Sequence, residues 1–149
     1  IVDRRDLLFL PALRMNARMG LTELGKLTGF PISSIHERLK VYDKTKLVKR
    51  YTALLDFMSL GYGIRALFFV VAHKQKRDVL RSFLSVFPAV NTLAKINHGY
   101  DFFVDAVFRS MQDVDAFKEL ICQEYGVKDV QIHYVIEGIK EEGFFMKDD

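Results

Sequence analysis

The chain is poor in the residues that carry much protein chemistry. A single cysteine, Cys122, among 149 residues excludes an intrachain disulfide and any metal centre of the usual cysteine-based kind. The four histidines, His36, His73, His98 and His133, fall in separate segments without a metal-ligand spacing such as HExxH, and no phosphate-cradling glycine loop is present. His98 near Asp101 could form an acid–base pair, but nothing supplies a nucleophile beside them. No apolar run approaches the ~20 residues that span a bilayer; the longest, Ala66–Ala72, is strand-length. The opening IVDRRDLL places charges where a secretory signal needs an apolar stretch. These absences predict a protein that is not an enzyme, has no cofactor or metal, makes no membrane contact and resides in the cytoplasm.

What is present suffices for a packed core: half of the residues are hydrophobic and the net charge is only +3, so the chain is not a disordered one. The charge is unevenly placed. Residues 1–60 hold eleven bases against six acids, net +5, and the remainder eleven against thirteen, net −2. A basic first part joined to a mildly acidic second part predicts two jobs, the first of them at a polyanion.

Residues 6–50 predict three helices. Asp6 is placed to cap the first, with Leu7, Leu10, Leu13 and Ala17 inward, and Pro11 predicts a kink or an early end. The second starts near Leu21, with Leu21, Leu24 and Leu27/Thr28 inward. Gly25 in its middle costs roughly 1 kcal/mol relative to Ala, which a close backbone approach by the third helix would justify. Gly29 stops the second helix at positive φ, and Pro31 and Ser33 open the third, about 32–44. On a wheel of 100° per residue, Ile35, Leu39 and Tyr42 share one arc. Ser33, Glu37, Lys40 and Lys44 lie opposite, flanked by His36 and Arg38. Helix, glycine turn and helix with an exposed polar face form the helix-turn-helix pattern. A plain helical hairpin with a solvated face would look much the same; the +5 charge and the next segment favour the DNA-binding reading. That segment, Leu47–Leu55, alternates and is β-branched, so it is expected to be a strand in the position of a wing, with Lys44, Lys46, Lys49 and Arg50 near phosphates.

From residue 63 the pattern changes to strand Ile64–Ala72, a helix carrying Val79, Leu80, Phe83, Leu84 and Phe87, and strand Val90–Ile96. A tight Asn97-His98-Gly99 connection leads to strand Tyr100–Arg109. A helix capped at Ser110 carries Val114, Phe117, Leu120, Ile121 and Tyr125, and strand Val130–Ile139 is last. The predicted fold class is α+β: an N-terminal winged helix-turn-helix followed by a ferredoxin-like βαββαβ sandwich. The expected parts are residues 1–50 for DNA binding, 51–62 as a linking strand and turn, and 63–149 for assembly and effector binding. The helix-facing set is expected to be Phe102, Val104, Ala106 and Phe108 with Val130, Ile132, Tyr134 and Ile136. The open face would hold Leu67, Phe69, Val71, Phe103, Val107 and Val135. Apolar residues on both faces predict that a second copy covers the open one, where a partner could satisfy Asp105 and His133; an edge position reached by water would serve them equally well.

Several stretches in this order carry a resemblance: Asn16-Ala17-Arg18, Leu24–Gly29, Ser33–Leu39, Tyr51–Asp56, Leu60-Gly61-Tyr62 and His98-Gly99-Tyr100-Asp101. Together they resemble the leucine-responsive/asparagine (Lrp/AsnC, feast/famine) regulator family over nearly the whole chain. The resemblance implies a transcriptional regulator that binds double-stranded operator DNA as a homodimer or larger multimer, up to an octamer. It also implies a C-terminal domain that assembles the protein and often takes an amino acid or similar small effector. The DNA-binding candidates are Ser33, Ser34, His36, Glu37 and Lys40 at base edges, with Arg38, Lys44, Lys49 and Arg50 at phosphates. By match to the family's glycine–acid turn, His98, Gly99, Tyr100 and Asp101 are the effector candidates; the simpler reading is a hairpin turn that Asp101 caps. Pro11, Pro31-Ile32 and Lys46 depart from the family pattern, Lys46 standing where glycine commonly precedes the linking strand. The alternative function is an architectural, weakly specific DNA-binding protein without a small-molecule effector.

Overall fold

The structure, a computed structural model, describes residues 2–146. The chain forms two compact units: one takes in the chain up to Leu54 together with the segment from Lys140 onward, the other is Leu55–Ile139.

The first unit contains three helices, α1 (Asp6–Met15), α2 (Leu21–Thr28) and α3 (Ile32–Thr45). Their shared core is Phe9, Ala12, Leu13, Leu24, Ile35 and Tyr42, with Phe30 set edge-on against Phe9 at 5.3 Å between ring centroids. Helix α1 runs unbroken through Pro11, whose ring is buried. Its inward stripe is Phe9, Ala12 and Leu13 with Leu10 packed against it, so Leu10 and Leu13 of the expected set face inward, Phe9 and Ala12 join them, and Ala17 lies beyond its end. Asp6 is not a cap: it is the first helical residue, wholly buried, with its carboxylate on α3. Leu27 is exposed, so Leu24 carries the buried contact of α2. At Gly25 a Cβ would stand 3.3 Å from the Phe30 carbonyl oxygen and 3.8 Å from Ile35 Cδ1; a backbone does come close, but it is that of the turn before α3, and α3 itself contributes only the Ile35 side chain. Gly29 ends α2 at φ +76°. Pro31 caps α3 through its carbonyl, which accepts from the Ser34 and Ile35 N–H groups, and no side chain takes part.

Helix α3 ends at Lys46, held at φ +60°, a conformation that an L side chain adopts at some cost. The segment after it, 47–56, forms no strand. An alternating β-branched run needs a neighbour for its backbone hydrogen bonds, and no other segment of the described chain supplies one. Leu47, Tyr51, Leu54 and Leu55 are left about half exposed along it.

The second unit follows the order β1 (Ile64–Ala72), α4 (Arg77–Val86), β2 (Val90–Lys95), β3 (Phe102–Phe108), α5 (Met111–Glu124) and β4 (Val127–Tyr134). The four strands make one antiparallel sheet in spatial order β2-β3-β1-β4. The central strand β1 alternates faces along its length, so Ala66, Phe68, Val70 and Ala72 join Phe102, Val104, Ala106 and Phe108 beneath α4 and α5. Leu80 and Leu84 descend from α4, and Val114, Phe117 and Ile121 from α5. Phe68 is fully buried and meets Phe117 and Phe108 edge-on at 5.1 and 6.1 Å; burial of such a ring contributes about 3 kcal/mol. The Ser110 hydroxyl caps α5 by accepting the Asp113 N–H at 3.2 Å, as the sequence pattern required. Strand β4 starts at Val127, immediately after Gly126 at φ +73°, and ends at Tyr134. Tyr134 and Ile136, expected against the helices, are instead exposed, since the strand has ended before Ile136.

On the open face, Leu67, Phe69, Val71, Phe103 and Val107 are half-buried. Phe69 is the hub: the rings of Tyr100, Phe103 and His133 lie 5.6, 5.5 and 5.6 Å from it. Asp105 needs no second copy to satisfy it. Arg65, its diagonal neighbour across the ladder, donates to both of its oxygens at 2.9 and 2.6 Å, and Asn91 donates at 3.4 Å.

Candidate nucleic-acid interface and effector turn

Helix α3 carries the first candidate site. Ile35 and Tyr42 are fully buried and Leu39 packs against the same core. Those contacts fix which way the helix is rolled, so Ser33, His36, Glu37, Lys40 and Lys44 are exposed and Ser34 is half-buried. Lys49 and Arg50 are exposed in the extended segment that follows. With no strand there, these two cations stand on open chain rather than on a wing.

Arg38 is placed differently from the expected phosphate contact. Its guanidinium Nε and Nη2 donate to Asp6 Oδ1 at 3.0 and 2.8 Å, and Nη2 reaches Oδ2 at 2.7 Å. The Arg38 side chain is 12% exposed and that of Asp6 not at all. The Tyr42 hydroxyl also donates to Asp6 Oδ1, and the Asp3 N–H to Oδ2. Burial alone would raise the Asp6 pKa, but the hydrogen bonds from Tyr42, Asp3 N–H and Arg38 outweigh it and hold the carboxyl below the ordinary aspartate range. Burial and the adjoining carboxylate push the Tyr42 phenol well above its ordinary value. Arg38 is therefore a bolt between the start of α1 and the middle of α3, not a free cation. The sequence held a clue, an aspartate at each end of Arg4-Arg5, but nothing local paired Asp6 with a residue 32 positions on.

Arg5 was also unforeseen. It donates from Nε and Nη2 to Asp3 at 3.3 and 3.0 Å and from Nη1 to Ser34 Oγ at 3.1 Å. Glu37 Oε2 lies 3.8 Å from the same Nη1.

The second candidate site is the β2–β3 connection. His98 at φ +60° and Gly99 at φ +91° give both central residues the positive φ of a type I′ hairpin turn, and both are exposed. Tyr100 turns back over the sheet, donating its hydroxyl to Gln131 Oε1 at 2.7 Å. Asp101 works within the chain: one oxygen accepts the Ala72 N–H at 2.8 Å and the other pairs with Arg77 Nε at 2.9 Å. It buttresses the turn. A cleft of about 680 Å³ lies elsewhere in this unit, walled by Leu55, Phe57, Phe87, Val107 and Phe108. There the Arg109 guanidinium covers the Tyr62 ring at 4.6 Å. Among the described residues no cluster of three His, Cys, Asp or Glu could hold a metal ion, and no helix is long and apolar enough to cross a membrane.

A family model described as the Lrp/AsnC ligand binding domain matches residues 66–144. The chain belongs to the Lrp/AsnC family. Among its relatives, the HTH-type transcriptional regulator FL11 of Pyrococcus horikoshii is 26% identical over 140 residues, covering 94% of this chain and 93% of that protein. The transcriptional regulator NMB0573 of Neisseria meningitidis, solved as a complex with L-Met, superposes with a TM-score of 0.85 at 26% identity, covering 95% of this chain and 94% of that one. LrpC of B. subtilis shares the fold at a TM-score of 0.85 and 18% identity, over 94% of this chain and 98% of that one.

Proposed function

We propose that this Lrp/AsnC-family chain is a DNA-binding transcriptional regulator that acts as a dimer or larger assembly of itself and is modulated by an amino acid or similar small molecule. One observation carries the reading: α3 buries Ile35 and Tyr42 and turns Ser33, His36, Glu37 and Lys40 outward. With α2 and the Gly29 turn it makes a helix-turn-helix whose second helix can enter a major groove. Ser33, Ser34, His36, Glu37 and Lys40 face base edges, with Glu37 able to accept from a cytosine amino group. Lys44, Lys49 and Arg50 meet phosphates, and Arg38 is left out of that set because Asp6 holds it.

The second unit, a ferredoxin-like βαββαβ sandwich, assembles the protein and takes the effector. The Phe69-centred open face and the unpaired 47–56 segment both call for a second copy. The backbone N–H groups of the His98–Gly99 turn suit a carboxylate, with Tyr100 beside them and Asp101 as the brace. The L-Met complex of the N. meningitidis relative supports an amino-acid effector.

Selection of duplexes from a random pool, followed by footprinting, tests the DNA reading. A recovered consensus with a high ratio of specific to non-specific affinity is expected; a ratio near unity would favour the architectural alternative. Thermal-shift titration with the twenty amino acids tests the effector, since a ligand that binds only the folded form raises the midpoint by mass action.

A further inference from the structure

We propose that Arg5, which lies outside the reading helix, sets the sequence preference of that helix by holding Ser34 and Glu37 in their reading positions. The inference rests on α3 being the base-reading helix.

Arg5 stands at the N-terminal boundary of α1, 29 positions from Ser34. A guanidinium offers its donors as a rigid planar fork, and here the fork is used from both sides. Nε and Nη2 grip Asp3, while Nη1 meets the Ser34 hydroxyl at 3.1 Å and lies 3.8 Å from the Glu37 carboxylate. Ser34 and Glu37 are three residues apart, hence neighbours on one edge of α3. The grip is anchored: the Asp3 N–H donates to Asp6, and Asp6 holds Arg38 on the same helix. The Arg5 side chain is only 23% exposed and that of Glu37 69% exposed, so a restrained cation sits behind a solvent-facing carboxylate that it pairs with.

Two consequences follow for a DNA-reading face. The Ser34 oxygen accepts from Arg5, which leaves its own proton to donate outward to a base-edge acceptor. Glu37 is a negative charge that must approach a polyanion; the Arg5 charge beside it offsets the repulsion and restricts its rotamers before binding, which reduces the ordering cost on contact. Arg5 thus acts through α3 and is a positioning residue rather than a base-contacting one.

The test uses the full chain and two duplexes, one that the protein itself selects from a random pool and one of random sequence. Affinity on both gives a specificity ratio for the parent, Arg5→Gln, Glu37→Gln and the double variant. Each single change is expected to lower the ratio by roughly tenfold and the double variant to be no worse than the more damaging single one. Arg5→Lys keeps the charge but cannot grip Asp3 and reach Ser34 together; it is expected to relax the preference while leaving the salt slope and the thermal midpoint unchanged. Arg5→Gln effects that add in full to those of Glu37→Gln, that fall equally on both duplexes, or that are absent overturn the proposal. If Glu37→Gln is silent on the parent background, the base-edge reading of α3 itself has failed and this inference goes with it.

Discussion

Each unit of this protein buries one aspartate beside one arginine, and the two pairs are built on opposite principles. Asp105 and Arg65 are near neighbours on adjacent strands of the sheet, so the backbone ladder has already brought them together. Asp6 and Arg38 lie on different helices, 32 residues apart, and no ladder joins those helices. The cores differ to match. Among the described residues the core cluster of the sheet unit holds fourteen buried apolar side chains, Phe68 among them, whereas that of the helical unit holds six. A small core gains little from apolar burial alone, and the Asp6–Arg38–Tyr42 network is the additional tie between α1 and α3. It also fixes the roll of the helix whose outer face is proposed to read DNA. Stability and the roll of α3 are therefore coupled in the helical unit, whereas in the sheet unit the ladder already sets the pair's geometry.

The contrast can be broken or sharpened by substitution. The largest effect is expected for Phe68→Ala, about 4 kcal/mol lost from the sheet unit, measured by urea unfolding; a loss under ~1 kcal/mol would mean that the ring does not centre that core. Asp6→Ala should cost the helical unit about 3 kcal/mol, because it strands the Arg38 charge against the core. Replacing Asp6 and Arg38 together by apolar residues should recover most of that loss, and helical CD melts of both variants would show it.

Acid should act on the same network. The folded-state pKa of Asp6 is depressed, so the stability it contributes is fully present above the ordinary carboxylate pKa of about 4 and is lost as pH falls through the lower folded value. The parent's helical unit is expected to become progressively easier to unfold below about pH 4, a trend that the double apolar variant should show less strongly. Gly29→Ala comes next, at about 1 kcal/mol, since φ +76° strains any residue with a Cβ.

The smallest stability effect belongs to Lys49→Ala with Arg50→Ala, within about 0.5 kcal/mol because both side chains are exposed. On DNA the same pair should weaken binding to every sequence and flatten the salt dependence by nearly two units of slope. An unchanged slope would take both residues off the phosphates.

Much of the architecture is legible in the sequence. The bounds of β1, the Gly29 stop, the Ser110 cap and the close approach at Gly25 each follow from a local rule, in which a period, a capping oxygen or a positive φ acts within a few residues. The inward stripe of α1 could be read only in part: Leu10 and Leu13 were legible, but Leu7 and Phe9 are alike in hydropathy and only the packing of α2 and α3 chose Phe9. The expected strand at 47–55 failed for a related reason: β-propensity describes a segment that would pair, and pairing needs a second edge. At the sites, exposure of Ser33, His36, Glu37 and Lys40 was legible from the helical wheel. The engagement of Arg38 by Asp6 and of Asp101 by Arg77 was not, since an exposed-looking charge reveals nothing about a partner distant in sequence.

The amino-acid order by itself determined the three helices and the βαββαβ order, the bounds of β1, the two-part division of charge, and which face of α3 points to solvent, because those depend on neighbours within a turn or two. The fold in three dimensions alone decided which charges are free to meet a ligand and which are bound within the chain. Such pairing joins residues roughly 30 positions apart (Asp6 with Arg38, Asp101 with Ala72, Arg5 with Ser34), and only packing brings them within reach.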